Sequence, residues 1–185
     1  MTARHIALPL AALLLGCDAQ NIDAPTDLPG VRRIVTSEDA EGRSIVLTDS
    51  PSGNVVELNG SRIERLWEAE SMPVTIPADR DLGATAGNAY REGFTGSSLY
   101  IADLPPGSDL DDIPLHKQES MDYIVLLEGE IDLVLDDGMV VHMKRGDILV
   151  QAGNNHSWIN RGQTTARLLC VTMTGKRRSA EPEAD

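Results

Sequence analysis

Between His116 and His156 the chain carries four short apolar runs, residues 122–127, 131–136, 139–143 and 148–151. The turns between them are Glu128-Gly129, Asp137-Gly138 and Arg145-Gly146. Runs of this length, rich in Val, Ile and Leu and closed by glycine turns, read as consecutive antiparallel strands. A sheet that returns on itself at such short intervals tends to close into a barrel or a double-sheet jelly roll. The expectation is therefore an all-β fold. The two histidines would sit on separate strands or strand ends and both could point into the barrel mouth.

The same reading extends both ways along the chain. Residues 33–36 and 44–48 are expected to pair as a hairpin around 38–42, with a turn at 49–53. Two further strands follow at 55–58 and 63–69, the second alternating imperfectly around Ile63, Leu66 and Trp67. Residues 73–96, rich in Asp, Ala and Gly, are expected to form a loop or a short helix over the mouth. Another strand is read at 97–103, a turn-rich entry at 104–115 and a last strand at 165–172. These place one domain at residues 31–174 of the 185, with a charged, disordered tail at 175–185. Aromatic residues make up only 3% of the chain, so Val, Leu and Ile must fill the core.

Strand periodicity assigns faces. Asp122 and Tyr123 point to opposite sides, Ile124 shares Asp122's side and Met121 shares Tyr123's. If Asp122 looks inward, Tyr123 looks out. Trp158 shares the face of His156. His142 sits in the strand-like VVHMKRGD and reads as exposed or locally satisfied. Cys170, alone in RLLCVT, reads as a small buried hydrophobe.

Residues 110–160 resemble the cupin superfamily, whose motifs run G-x5-H-x-H-x(3,4)-E-x6-G and G-x5-P-x-G-x2-H-x3-N. His116 takes the place of the first histidine, Gln118 that of the second and Asp122 that of the glutamate, with Gly129 closing. In the second motif Gly146 opens, Gly153 fills the inner glycine, His156 follows Asn154-Asn155 and Asn160 ends it. The departures are Leu110 in place of the opening glycine, no proline in the second motif, and a 146–156 loop one residue short. The wording H-x-Q-x-S-x-D-Y, then V-Q-x-G-x-N-H-x-W-x-N, is similar to small single-domain cupins of bacteria and fungi, some of which accompany secondary-metabolite pathways.

The resemblance implies a cupin β-barrel (a double-stranded β-helix, or jelly roll) that processes a small organic molecule. Oxidase or dioxygenase, decarboxylase and dehydratase chemistries are all compatible with it, as is a ligand-binding or sensing role without catalysis. It also implies a site. His116, His156 and Asp122 would be the facial ligand set of a divalent metal (Fe, Mn, Zn or Ni), leaving open positions for substrate. Gln118 would add an amide oxygen where most metal-binding cupins place a further histidine. The alternative is a metal-free pocket in which Asp122 and a histidine form an acid–base pair. Gln151 and Trp158 are expected to line the substrate pocket.

The amino terminus points to a compartment. Arg4 precedes an apolar run at 6–15 that is shorter than the roughly 20 residues of a membrane span and suits a signal-peptide core. It ends in Leu14-Leu15-Gly16-Cys17, which resembles a bacterial lipobox. That resemblance implies removal of residues 1–16, acylation of Cys17 and a flexible tether at 17–30. Asp18 resembles the residue that retains lipoproteins at the periplasmic face of the inner membrane in a Gram-negative host. A net charge of −13 argues against nucleic acid as a partner. Cupins often pair through sheet edges, so a homodimer is expected by default.

Overall fold

Short β-branched runs and tight turns produce eleven strands among residues 30–58, 60–77, 79–87, 91–107 and 114–177, which the computed structural model describes. The first hairpin pairs β1 (Arg32–Glu38) with β2 (Ser44–Pro51). It turns where Asp39 accepts from the amides of Glu41 and Arg43. Both strands outrun the sequence expectation, and β2 absorbs part of the segment read as a turn.

A six-stranded sheet follows the spatial order β3 (Val55–Leu58), β4 (Ser61–Ala69), β5 (Ser97–Leu104), β11 (Ala166–Thr174), β6 (Ser120–Glu128) and β9 (Ile148–Gln151). Opposite it lies a three-stranded sheet in the order β10 (Ser157–Ile159), β7 (Glu130–Val134) and β8 (Val140–Lys144). A 3-10 turn, Asp136–Gly138, joins β7 to β8 and takes the end of the run expected as strand. Every named pair is antiparallel.

The inward side chains of the two sheets meet in one core. Leu126 and Ile131 are fully buried, and Ile124, Met143, Leu168 and Cys170 pack with them. Each such aliphatic side chain contributes roughly 1.5–3 kcal/mol by leaving water. On β6 the alternation is clear: Asp122, Ile124 and Leu126 are buried while Tyr123 is exposed.

Within 73–96 the described residues form turns and no helix. The segment is tied to the body by a paired bridge, Ser71 with Thr95, and by ion pairs. Arg33 grips Asp81 through two hydrogen bonds of 2.7 and 2.8 Å and also reaches the Leu66 carbonyl. The expected leader 1–16, Cys17, the tether up to residue 29 and the tail from 178 lie outside the described residues. The start of that tail is not free: Gly175 donates to the Glu119 carbonyl, and Arg177 to that of Gly153.

Candidate functional site

His116 and His156 are direct cross-strand neighbours. They exchange backbone hydrogen bonds, each N–H donating to the other's carbonyl at 2.9 Å. The pairing brings their rings to 4.4 Å between centroids, tilted by 52°. Each ring is then held in the same way. His116 Nδ1 lies 3.0 Å from the Pro114 carbonyl, and His156 Nδ1 lies 3.0 Å from the Asn154 carbonyl, in both cases two residues upstream. A carbonyl only accepts, so each Nδ1 carries a proton, and in the neutral ring the lone pair falls to Nε2.

The loop that delivers His156 depends on Gly153. Its φ of 62° is left-handed, and a Cβ there would stand 2.7 Å from the Gln118 carbonyl. The glycine thus lets the two motifs touch. Beyond it, Ser157 and Ile159 are buried while Trp158 lines the cavity with His156, edge-on to its ring at 6.3 Å.

Asp122 enters from β6, opposite Gln151 on β9. The Gln151 amide lies 3.0 Å from His156 Nε2 and 3.4 Å from Asp122 Oδ2. Ser120 donates to the same Oδ2 at 3.1 Å. Asp122 Oδ1 and Gln151 Oε1 are buried without a hydrogen-bond partner in the protein. An orphaned buried acceptor costs about 1–3 kcal/mol, so the pair marks where a ligand's donors belong. Burial lowers the pKa of His156 below 6.5; the Asn154 carbonyl opposes this, and neighbouring His116 adds to it. His156 is therefore a neutral imidazole at neutral pH.

These groups line a cavity of about 320 Å³ that also takes in Gln118, Ile124 and Trp158. Its aliphatic wall includes Ile63, Leu104 and Leu168. Cys170 is part of the wall, its thiol pushed up to about 12 by burial, and it is no nucleophile. His142 stands apart, bonded to Asp132 at 2.8 Å on the neighbouring strand.

The sequence reading missed a polar row. Glu68, Ser98, Thr172, Asp122 and Gln151 lie opposite one another across β4, β5, β11, β6 and β9, and all are buried. Glu68 closes the far end by accepting from Arg91 at 2.6 Å and from the Gly87 amide at 2.8 Å. Arg65 and Tyr100, paired on β4 and β5, also face the cavity and were not foreseen. The imperfect alternation of residues 63–69 was the available signal. A register shift between Arg65 and Trp67 makes Leu66 an extra residue, so that Arg65 and Glu68 rather than Arg65 and Trp67 look inward.

The fold family raises the question of a metal. The pinned Nδ1 atoms of the two imidazoles suit one, although the Gln151 amide already occupies Nε2 of His156. The third ligand does not. Gln151 stands between His156 and Asp122, and Ser120 and Gln151 both donate to the carboxylate oxygen that faces them. Among the described residues, no three His, Cys, Asp or Glu side chains converge as a metal-binding group. The facial set of His116, His156 and Asp122 expected from the resemblance is thus not assembled in this arrangement. Gln118 lines the same cavity without completing it.

Comparisons with known proteins bear on the family. The family described as the cupin domain matches residues 100–172. The phomopsin biosynthesis cluster protein D of Diaporthe leptostromiformis is 35% identical over 167 residues, covering 85% of this chain and 85% of that one. The cupin-domain-containing oxidoreductase fogC of Aspergillus ruber is 30% identical over 155 residues, 79% of this chain and 73% of that one. Among solved structures, the cupin domain of Schizosaccharomyces pombe Cnp3 is similar at 15% identity, covering 77% of this chain and 87% of that one, with a TM-score of 0.48. With a cupin-domain-containing relative 30% identical along 79% of its length, and the cupin domain matched over residues 100–172, which include both histidines, the chain belongs to the cupin family.

Proposed function

We propose that this cupin processes a small oxygenated organic molecule by proton transfer in the cavity beside His116, His156 and Asp122. The observation that carries the reading is the buried chain Asp122–Gln151–His156, with two orphaned acceptors beside an imidazole pair of fixed tautomer. Relatives named for biosynthesis clusters and as oxidoreductases support a small-molecule substrate. In this reading Asp122 Oδ1 and Gln151 Oε1 accept hydrogen bonds from substrate hydroxyls. His116, whose Nε2 is not capped by Gln151, takes a proton from the carbon next to a substrate carbonyl. The imidazolium then returns the proton, either to carbon in an isomerisation or to a departing hydroxyl in a dehydration. Neither route needs an external oxidant.

The test is hydrogen isotope exchange. The wild-type protein, incubated in deuterium oxide with a panel of hydroxylated ketones, should place deuterium on the carbon beside the carbonyl of at least one of them. His116→Gln should slow that exchange by roughly 10²–10⁴-fold, the usual worth of a general base. Titration with Fe(II), Mn(II), Zn(II) and Ni(II) under anaerobic conditions separates the metal-dependent reading. Stoichiometric uptake lost in both His116→Ala and His156→Ala would overturn the metal-free mechanism. Binding of panel members without any exchange would make the domain a ligand sensor.

We further infer an envelope location, with Cys17 acylated and the barrel held by the 17–30 tether. The order Arg4, apolar run, Leu14-Leu15-Gly16-Cys17 supports it. Intact-mass analysis of membrane-extracted protein should show a chain that begins at acylated Cys17, and Cys17→Ser should retain residues 1–16. We also infer a homodimer formed at the β9 edge, where Ile148 is 72% and Val150 60% exposed next to the exposed Tyr123.

A further inference from the structure

We propose that Arg65 makes the cavity a site for organic carboxylates, holding the ligand's carboxylate at the β4–β5 wall while its reacting end lies at the histidines. This rests on the reading of the cavity as the substrate site.

The chain has 29 Asp and Glu against 16 Lys and Arg, so a guanidinium has ample choice of carboxylates. Most take one. Arg33, Arg62, Arg91, Arg161 and Arg167 each lie within ion-pair distance of an acidic side chain. Arg65 is the arginine that lines the cavity, and among the described residues its side chain makes no hydrogen bond or ion pair. It is half-buried beside Tyr100, in a cavity walled by Ile63, Leu104 and Leu168. A cation held against apolar walls without a partner is costly, and an anionic ligand removes that cost.

The guanidinium fork selects the anion. Its planar pair of N–H groups matches a carboxylate or a phosphate bidentately. A phosphate dianion would enter this apolar cavity facing a single cation, leaving one charge uncompensated. A carboxylate is neutralised one for one.

Position then defines the rest of the ligand. Arg65 lies in the inward row next to that of Asp122, three strands away through β5 and β11. Three strand spacings are roughly 14 Å along the sheet, shortened by the curvature of the barrel and the reach of both side chains. The carboxylate is therefore a handle several bonds from the reacting centre, not the group that reacts. The intervening wall is aliphatic, with Trp158 beside the histidines. An elongated acid with an apolar middle and an oxygenated far end fits that sequence of surfaces.

The experiment uses matched probes on the full chain. Unbranched carboxylates from butanoate to decanoate, their primary amides and the corresponding alkyl phosphates are titrated by calorimetry and by melting temperature. At least one carboxylate should stabilise the wild type and bind at least about tenfold tighter than its amide, as expected for a charge-assisted hydrogen-bonded pair. Arg65→Gln should abolish that preference, and Arg65→Lys should retain part of it. The melting temperatures of the ligand-free variants show whether each is folded, and Arg65→Lys decides if Arg65→Gln is not. The proposal is overturned if no carboxylate stabilises the wild type, if amides bind equally, if the folded Arg65 variants keep the full preference, or if phosphates bind better. His116→Gln should keep the carboxylate preference while losing isotope exchange. Carboxylate preference without exchange in the wild type would remove the proton-transfer reading and leave this one standing.

Discussion

Gln151 shows how a residue that does not titrate can set the state of those that do. Its amide fills the lone pair of His156 Nε2, while the Asn154 carbonyl holds the proton on Nδ1. Burial, the largest influence on this imidazole, keeps its folded-state pKa below 6.5. Above that pH the ring is neutral in both folded and unfolded chains and costs nothing. As pH falls below 6.5, the unfolded chain takes up a proton that the folded site refuses, and stability drops until the folded ring also protonates. Melting temperature should therefore decline on acidification below pH 6.5, and His156→Gln should flatten that limb. An identical acid limb in the variant would refute the assignment. Asp81, held at about 2 by its hydrogen bonds to Arg33, adds a separate loss of stability only below its ordinary value of 3.8. At this scale the sequence was legible beside the motif residues: Gln151, just before the glycine loop, and Trp158, two residues beyond His156, both line the cavity. Arg65 was not legible, because an arginine in a strand of mixed polarity carries no mark of which face it takes until its register is known.

At the scale of elements, two irregularities position the site. The bulge in β4 makes Glu68 rather than Trp67 the next inward residue after Arg65, aligning Glu68 with Ser98 on β5. The left-handed turn at Gly153 seats the β9–β10 loop on the backbone of Gln118. Gly153→Ala pairs an unfavourable φ with a Cβ only 2.7 Å from a carbonyl oxygen, so the loop must move. The expected outcome is a loss of about 1–3 kcal/mol in urea denaturation, of the size usual for backbone strain, with the His156 ring signals displaced in NMR spectra. Unchanged imidazole shifts would mean that the turn does not position the histidine. The sequence marked this glycine by its place in the motif. It could not mark the conformation of the described residues within 73–96, which are held by distant contacts such as Arg33 with Asp81 and Ser71 with Thr95 rather than by periodicity.

Across the whole molecule, the outer face of β9 is the clearest expression of how the barrel treats its edges. Ile148 and Val150 project outward from a strand that, among the described residues, pairs on one side only, with β6. Light scattering should report a dimer, and Ile148→Lys should dissociate it, since a charge on an apolar edge opposes edge pairing. A wild-type monomer at high concentration would remove the dimer. The barrel itself was readable from run lengths and glycine turns, whereas the order of its strands depends on pairings between distant segments. The buried polar row from Glu68 to Gln151 has a kinetic consequence. Its five members come from strands scattered over more than eighty residues of chain, and none is a near neighbour of another in sequence. No local hairpin can assemble it, and a slip of one residue in any strand turns that strand's polar group to the other face. Recovery of ligand binding after denaturation will therefore follow the last strand to join the sheet, making the cavity itself the reporter of completed folding.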